Sequence, residues 1–391
     1  MASTSQRLRV CLVYDCLFPW TVGGAERWYR AVAEALAEAG HEVTYLTRRQ
    51  WGTDDAPDIP GVRVVAVSRD EPLYGPDGNR RIGQAIRFGG GVLRHLARNR
   101  GRYDVVHTAS FPYFSLLAAG AARIRDPFRL IVDWHEVWTL GYWQEYLGRP
   151  GGLIGYLVQR ACVRIPQRAY CFSRLHEGRL HDEGVAGPVT VLEGEYAGRL
   201  EPAKVRDADP LVVFAGRHIA EKRVPALVPA LVAARERIPG LQGVIFGDGP
   251  ERDQVLELIA DHDAGGWLRA PGFVDGTEVE DAMHRALCMV LPSRREGYGQ
   301  VVIEASAAAT PSVVVQDPDN AATEHVADGV NGVIAPSADP ADLAEAIVRV
   351  ADAGTPLRAS TADWFADNAE RLSLGSSLRT LLTGYADSTR R

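Results

Sequence analysis

A two-domain α/β fold, with a doubly wound parallel sheet in each domain, is predicted for this 391-residue chain on three observations. Short apolar runs alternate with longer amphipathic segments along the sequence, the pattern of repeated βαβ units. That alternation breaks once, at the polar stretch Glu193–Asp209, and then restarts. The length also exceeds the roughly 250–300 residues beyond which a single core stops growing.

In the first half, strands are expected at Leu8–Tyr14, Glu42–Leu46, Val62–Val67, Val105–His107, Leu130–Asp133, Ala169–Phe172 and Val189–Leu192. Each is a short apolar run with polar or turn residues at its ends. Helices are expected near Ala25–Ala39, Gly83–Arg98, Tyr113–Ala122 and Gly152–Arg164. The interruption contains Pro202 and closes on Asp-Ala-Asp-Pro, a linker composition. The linker is placed at 196–209, between a domain over 1–195 and one over 210–373. In the second half, strands are expected at Leu211–Ala215, Gly243–Gly247, Cys288–Leu291 and Ser312–Val315. Helices follow near Ala220–Arg237, Pro250–Asp263, Val302–Ala309 and Asp339–Val350, with tail helices from Ser360 onward. Ligands of such sheets bind at the carboxyl ends of the strands, so two facing sheets would share a cleft.

Hydrophobic residues make up 46% and charged residues 24%, which excludes disordered, collagen-like and coiled-coil chains. A net charge of −7 argues against a nucleic-acid coat protein but not against a local anion site. Of the 43 cations only Lys204 and Lys222 are lysine. Coding bias explains the excess of arginine. In such a chain a lysine can mark a place where a compact ammonium serves and a wide guanidinium does not. The five cysteines form no CxxC pair, which suits reduced, buried thiols in a cytoplasm. No apolar stretch reaches the ~18 residues of a membrane span. The expected location is cytoplasmic.

Several motifs could carry chemistry. Gly23-Gly24-Ala25-Glu26 opens a helix after the first strand, where glycine admits a close ligand and helix amides favour anions. A tight turn needing glycine reads from the same residues. It is not a dinucleotide fingerprint. In the second domain, Gly216-Arg217 and Lys222 stand at a strand-to-helix junction, where two cations could clamp a diphosphate. A solvated helix start reads equally there. The turns Gly247-Asp248-Gly249-Pro250 and Pro271-Gly272-Phe273-Val274 close two more strands. The densest motif is Pro292-Ser293-Arg294-Arg295-Glu296-Gly297-Tyr298-Gly299-Gln300, with Glu304 on the helix beyond. Its carboxylates suit sugar diols, and the amides of Gly297–Gln300 suit phosphate. In the first domain Trp134, His135, Trp138, Tyr142 and Trp143 follow a strand end; aromatic faces there could stack on an acceptor sugar. A buried aromatic cluster with a satisfied histidine is the alternative.

As an ordered set these motifs resemble the family-4 retaining glycosyltransferases of GT-B fold, over nearly the whole chain and most strongly from Val212 to Pro311. The resemblance implies two Rossmann-like domains facing across a cleft, with the tail from about 374 to 391 crossing back to the first. It implies that Arg217 and Lys222 grip the diphosphate, Glu296 holds the transferred sugar and Glu304 the ribose. Gly23, Gly24 and Gly247 would approach the donor, as would Gly297, Tyr298, Gly299 and Gln300. Phe273 and Val274 would line the base pocket, and His135 would face the donor sugar. Trp134, Trp138, Tyr142 and Trp143 are assigned to the acceptor. Two departures stand out: Ala309 replaces a common glycine, and Asp317–Glu324 keeps an acid without the usual glycine pair.

The implied activity is retaining transfer of a hexose-type sugar from a UDP or GDP sugar, in polysaccharide, glycolipid or natural-product assembly. No cofactor and no metal are expected. The leaving diphosphate would take the acceptor's proton, with Arg217 and Lys222 stabilising its charge. A phosphorylase or a sugar-nucleotide epimerase would use the same clamp, and a non-enzymatic nucleotide-sugar binder is the remaining rival. The partners expected are the nucleotide sugar and a small or lipid-linked acceptor, with no nucleic acid. Seven arginines between Arg80 and Arg102 read first as a solvated helix face in an arginine-rich chain, and second as a weak peripheral contact with the inner membrane face.

Overall fold

The computed structural model describes residues 7–52, 55–73 and 80–387. The polar leader 1–6 and the tail residues 388–391 lie outside the described residues. The chain divides into two compact units, Met1–Leu192 with Ser377–Arg391, and Glu193–Ser376.

The first unit carries β1 (Arg9–Val13), α1 (Gly24–Glu38), β2 (Glu42–Arg48), β3 (Val62–Ser68), α2 (Ile82–Arg98) and β4 (Val105–Ala109). Then come α3 (Tyr113–Arg123), β5 (Arg129–Trp134), α4 (Leu140–Val163), β6 (Arg168–Cys171), α5 (Arg174–Asp182) and β7 (Val189–Val191). The strands form one parallel sheet in the order β3-β2-β1-β4-β5-β6-β7. All seven strands expected from the sequence are present. The chain steps one way from β1 to β2 and the other way from β3 through β7. Right-handed crossovers therefore put α1 on one face and α2 to α5 on the other. Central strands such as β4 are buried along their whole length, as a sheet covered on both faces requires.

The second unit carries β8 (Leu211–Ala215), α6 (Leu227–Arg237), β9 (Gln242–Phe246), α7 (Arg252–Asp261), β10 (Leu268–Gly272), α8 (Gly276–Arg285) and β11 (Cys288–Leu291). It continues through β12 (Arg295–Glu296), α9 (Gln300–Ala307), β13 (Ser312–Val315), β14 (Asp319–Asn320), β15 (Gly332–Ala335) and α10 (Pro340–Leu372). Its main sheet is also parallel, in the order β10-β9-β8-β11-β13-β15, and β12 pairs with β14 beside it. The last helix, α11 (Leu374–Asp387), belongs to the first unit from Ser377. Its Tyr385 is fully buried there, with its hydroxyl 2.9 Å from His107 Nδ1.

Three differences from the sequence reading have local causes. The helix expected from Ala220 begins at Leu227, after two short 3-10 turns. Arg223 between them is left-handed (φ 50°), and Pro225 follows without an amide donor. The helix expected from Gly152 begins at Leu140, with Thr139 capping it, and it kinks at Gly148 (φ 73°). Helices α5 and α8 and strands β10 and β15 carried no clear periodic signal, because each is short or largely polar. The stretch read as a linker is bonded along the second unit. Ala203 N donates to Ala307 O at 2.8 Å and Asp209 N to Arg285 O at 2.9 Å.

Candidate active site

In the second unit the carboxyl ends of β8, β9 and β11 bring three glycine-containing loops together. A Cβ on Gly247 (φ +108°) would collide with the carbonyl oxygen of Gly216, and one on Gly249 would press on that of His218. His218 N donates to Asp248 O at 2.8 Å, tying the β8 and β9 loops. Only glycine permits that approach, because it combines positive φ with no side chain.

Lys222, on the first 3-10 turn after β8, forms an ion pair with Glu296 of β12. Glu296 is 8% exposed. Its Oε1 takes both Lys222 Nζ and the hydroxyl of buried Ser293, which donates at 2.6 Å. Neighbouring pairs brace the cluster: Arg295 with Glu221 at 3.3 Å, and Arg223 with Asp317 at 3.1 Å. Asn320 of β14 donates from Nδ2 to Ser293 O (3.1 Å) and Val315 O (2.8 Å), while its Oδ1 accepts from Ala322 N. Where the family places glycines, this chain stitches the loop with an asparagine side chain. Ser293 and Asn320 were not singled out as site residues from the sequence. The Pro-Ser before Glu296 was visible, but its hydroxyl's target was not.

Arg217 is exposed and forms no ion pair within the described residues. Helix α9 starts at Gln300 behind Gly299 (φ +93°), with no side-chain cap on its first amides. A Cβ on Gly299 would strike Ala322. Glu304 sits exposed on α9. Phe273 is 76% exposed beyond β10, and Val274 is packed partly against the core. The Tyr298 ring faces inward. Its hydroxyl donates to Glu193 O at 2.6 Å, accepts from Glu195 N at 3.2 Å, and the ring meets His325 edge-on at 4.5 Å. A donor contact at Tyr298 is thus restricted to its main chain.

In the first unit Gly23 and Gly24 open α1, and the Glu26 carboxylate folds back over Gly23, where a Cβ would meet it. His135 follows β5 and stacks on Phe172 at 4.6 Å with nearly parallel planes. Burial pushes its pKa down to about 4, so the ring is neutral at pH 7. It can exchange hydrogen bonds with a hydroxyl but does not carry a positive charge there. Two residues earlier, fully buried Asp133 fixes this strand end. Trp28 Nε1 donates to it at 2.7 Å, and His107 Nε2 lies 2.8 Å from its other oxygen. Burial raises the Asp133 pKa, but His107 and these hydrogen bonds outweigh burial and hold the carboxyl below its usual range.

The acceptor assignment of the aromatic residues is corrected in part. Trp134 and Trp143 are buried, at 0% and 4% exposure, with their indole N–H groups bonded to Gln167 and Gln159. Tyr142 is buried as well. A closed indole or phenol ring offers no face to a sugar; these three build core. The organiser is Gln159, which accepts from Tyr113 Oη, Trp138 N and Trp143 Nε1 and donates to Trp138 O and Glu183 Oε1. Only Trp138 of the four keeps part of its surface open, with its Nε1 bonded to Glu136 at 2.6 Å.

Among the described residues no group of three or more acidic, histidine or cysteine side chains converges as a metal site. No helix of the described residues is long and apolar enough to cross a membrane.

Known proteins resemble this chain in sequence and in fold. Residues 22–193 match the model "Glycosyltransferase Family 4", and residues 200–364 match "Glycosyl transferases group 1". The glycogen synthase of Mycobacterium tuberculosis is 30% identical over 361 residues, 88% of this chain and 86% of that one. The D-inositol 3-phosphate glycosyltransferase of Actinosynnema mirum is 28% identical, over 93% of this chain and 92% of its own. Among solved structures, sucrose-phosphate synthase from Thermosynechococcus elongatus superposes with TM-score 0.80 at 20% identity, covering 98% of this chain and 99% of that one. HepE of Anabaena, solved with UDP and glucose, gives 0.72 at 17% identity, covering 97% and 100%. With relatives of this identity and coverage, the chain belongs to glycosyltransferase family 4 and has the two-domain GT-B fold.

Proposed function

We propose that this glycosyltransferase moves a hexose-type sugar from a nucleotide-diphosphate sugar to a hydroxyl acceptor with retention at the anomeric carbon. The acceptor belongs to polysaccharide, glycolipid or natural-product assembly. The observation that carries the reading is the Lys222–Glu296–Ser293 cluster, with Arg217 unpaired on the adjoining loop. Both contacts to Glu296 fall on Oε1, which leaves Oε2 for a sugar hydroxyl. Arg217 and Lys222 hold the diphosphate, and the uncapped amides of α9 add to the same field.

In the transfer step, the bond from the anomeric carbon to the β-phosphate oxygen breaks. The acceptor oxygen bonds to that carbon on the same face. The acceptor's proton passes to the departing phosphate oxygen. Negative charge grows on the diphosphate, and the two cations stabilise it without a metal. Neutral His135 is suited to exchange a hydrogen bond with a sugar hydroxyl. Phe273 offers an exposed ring to the base, Glu304 takes the ribose diol, and Trp138 is the remaining aromatic on the acceptor side. UDP sugars come first in a donor screen, because HepE was solved with UDP.

The test is a panel of nucleotide sugars scored by mass-detected hydrolysis, with the best donor then run against Glu296→Gln. Slow hydrolysis of one donor that falls at least tenfold in Glu296→Gln is expected. Turnover that depends on inorganic phosphate, or epimer release without transfer, would replace the reading with a phosphorylase or an epimerase. Tight donor binding without any turnover would leave a binding protein.

A further inference from the structure

We propose that the outer face of the α2–α3–α4 layer of the first unit docks on an anionic phospholipid surface. The inference stands apart from the donor chemistry above and uses none of its residues.

The first unit exposes eight large aliphatic side chains among its described residues, and seven lie on this one layer. Ile82, Ile86 and Leu93 project from α2 at 52, 50 and 40% exposure. Leu153, Ile154 and Leu157 project from α4, and Ile124, at 84%, caps α3 between them. Helix α3 packs against both neighbours, so these are parts of one surface. Single exposed aliphatics are ordinary; seven gathered on one face are not.

The charges on the same helices are as lopsided. The chain as a whole is acidic, at −7. Yet α2 and α3 contain no aspartate or glutamate, and α4 contains only Glu145. Arg87, Arg94 and Arg98 line the exposed side of α2, adjacent to the Ile82-Ile86-Leu93 stripe. Arg149 lies on α4 and Arg164 caps its end. Arg87 pairs with Glu71 at 2.9 Å. Arg94, Arg98, Arg149 and Arg164 are exposed and form no ion pair within the described residues.

Aliphatics beside unpaired arginines fit one solvent interface. A bilayer takes the aliphatics at the depth of the headgroups, while guanidinium groups reach outward to phosphate. A protein partner or a second copy would need acidic side chains opposite, and this layer offers almost none of its own for self-pairing. Charge complementarity therefore favours the anionic lipid surface.

The test is co-sedimentation of the full-length protein with vesicles of phosphatidylcholine, or of phosphatidylcholine mixed one to one with phosphatidylglycerol. Binding to the anionic vesicles at low salt, weakened by added salt, is expected. Arg94→Gln with Arg98→Gln should lower the partition coefficient about 30-fold, at roughly 1 kcal/mol per arginine near an anionic surface. Ile154→Ser with Leu157→Ser should lower it about tenfold or more. All four side chains are exposed, so both variants should keep the wild-type urea midpoint and donor hydrolysis. Equal binding to neutral and anionic vesicles, or none at low salt, overturns the proposal. So does a serine variant that binds vesicles normally but loses self-association on sizing chromatography, which would assign the patch to a second copy.

Discussion

Replacing Lys222 with methionine removes the cation from the Lys222–Glu296 pair and leaves the carboxylate behind. The Glu296 side chain is 9% exposed and that of Lys222 19%. Removing one partner of a buried pair costs about 3–5 kcal/mol, because the remaining charge is neither hydrated nor matched. The lower end applies, about 3 kcal/mol, since water reaches the lysine side and Ser293 still donates to Oε1. For a unit of this size, each kcal/mol lowers the midpoint by about 2–4 °C, so a fall of about 6–12 °C is expected. Adding Glu296→Gln removes the stranded charge. The double variant should regain about 2 kcal/mol relative to the sum of the singles. Turnover should behave differently. Donor hydrolysis falls about 10²–10³-fold in Lys222→Met, as for a lost group that meets growing charge, and the double variant does not regain it. Urea unfolding read by far-UV circular dichroism, beside mass-detected hydrolysis, separates the two effects. If Lys222→Met unfolds within about 0.5 kcal/mol of wild type, or the double variant is additive, the pair does not hold Glu296 in the way described.

Gly247→Ala should weaken nucleotide-diphosphate binding and destabilise the second unit by about 2–4 kcal/mol, because its Cβ meets the Gly216 carbonyl and its φ is +108°; unchanged affinity by calorimetry would refute the close approach of the two loops. Gln159→Leu removes a hydrogen-bond partner from Tyr113 Oη, Trp138 N, Trp143 Nε1 and Glu183 Oε1 at once, so the first unit should lose about 3–5 kcal/mol in urea, and a loss under about 1 kcal/mol would mean the network relaxes. Acid should destabilise both units. Burial pushes His135 and His325 down to about 4 and His176 to about 3. Above the ordinary value near 6.5 all three are neutral in both folded and unfolded states, and the stability is fully present. Below it the unfolded chain binds protons that the folded chain refuses, so stability is lost as pH falls from about 6.5 toward 4, by roughly 2 kcal/mol per histidine at pH 5. Urea midpoints at pH 7.5 and 5.0 measure this, and equal midpoints would contradict it.

Much of the fold was legible because short continuous apolar runs and amphipathic runs of period near 3.6 announce their burial directly. All seven strands of the first sheet were visible for that reason. Strand β10 was not, because Arg269 and Pro271 interrupt its only five residues. Helix α5 was missed because its nine residues carry six charged or histidine side chains and bury only His176 and Leu180. In the site, the positions of Arg217, Lys222, Glu296 and the glycines could be read from order and spacing. What each touches could not. Lys222 and Glu296 are 74 residues apart, and nothing local tells that they pair. The aromatic residues misled for the same reason: a tryptophan after a strand end reads alike whether its ring faces solvent or core, and only Gln159 and Gln167 decide it. Ala309 shows the reverse case. It departs from the family's glycine yet keeps the left-handed φ of +56°, because Ala309 N bonds Ser306 O and Thr310 N bonds Ala305 O, closing α9 as a Schellman motif does.

The sequence by itself determined the two α/β sheets, the strand-end loops and the family, since these depend on periodicity and on residue types a few positions apart. It also pointed to Lys222 through the scarcity of lysine. Tertiary structure alone decided that Lys222 binds Glu296 rather than standing free, that Ser293 and Asn320 hold the loop, and that Trp134 and Trp143 are core. It also gathered the exposed aliphatics of three helices onto one basic face. These are contacts between residues far apart in the chain, and their energies depend on burial, which no local pattern records.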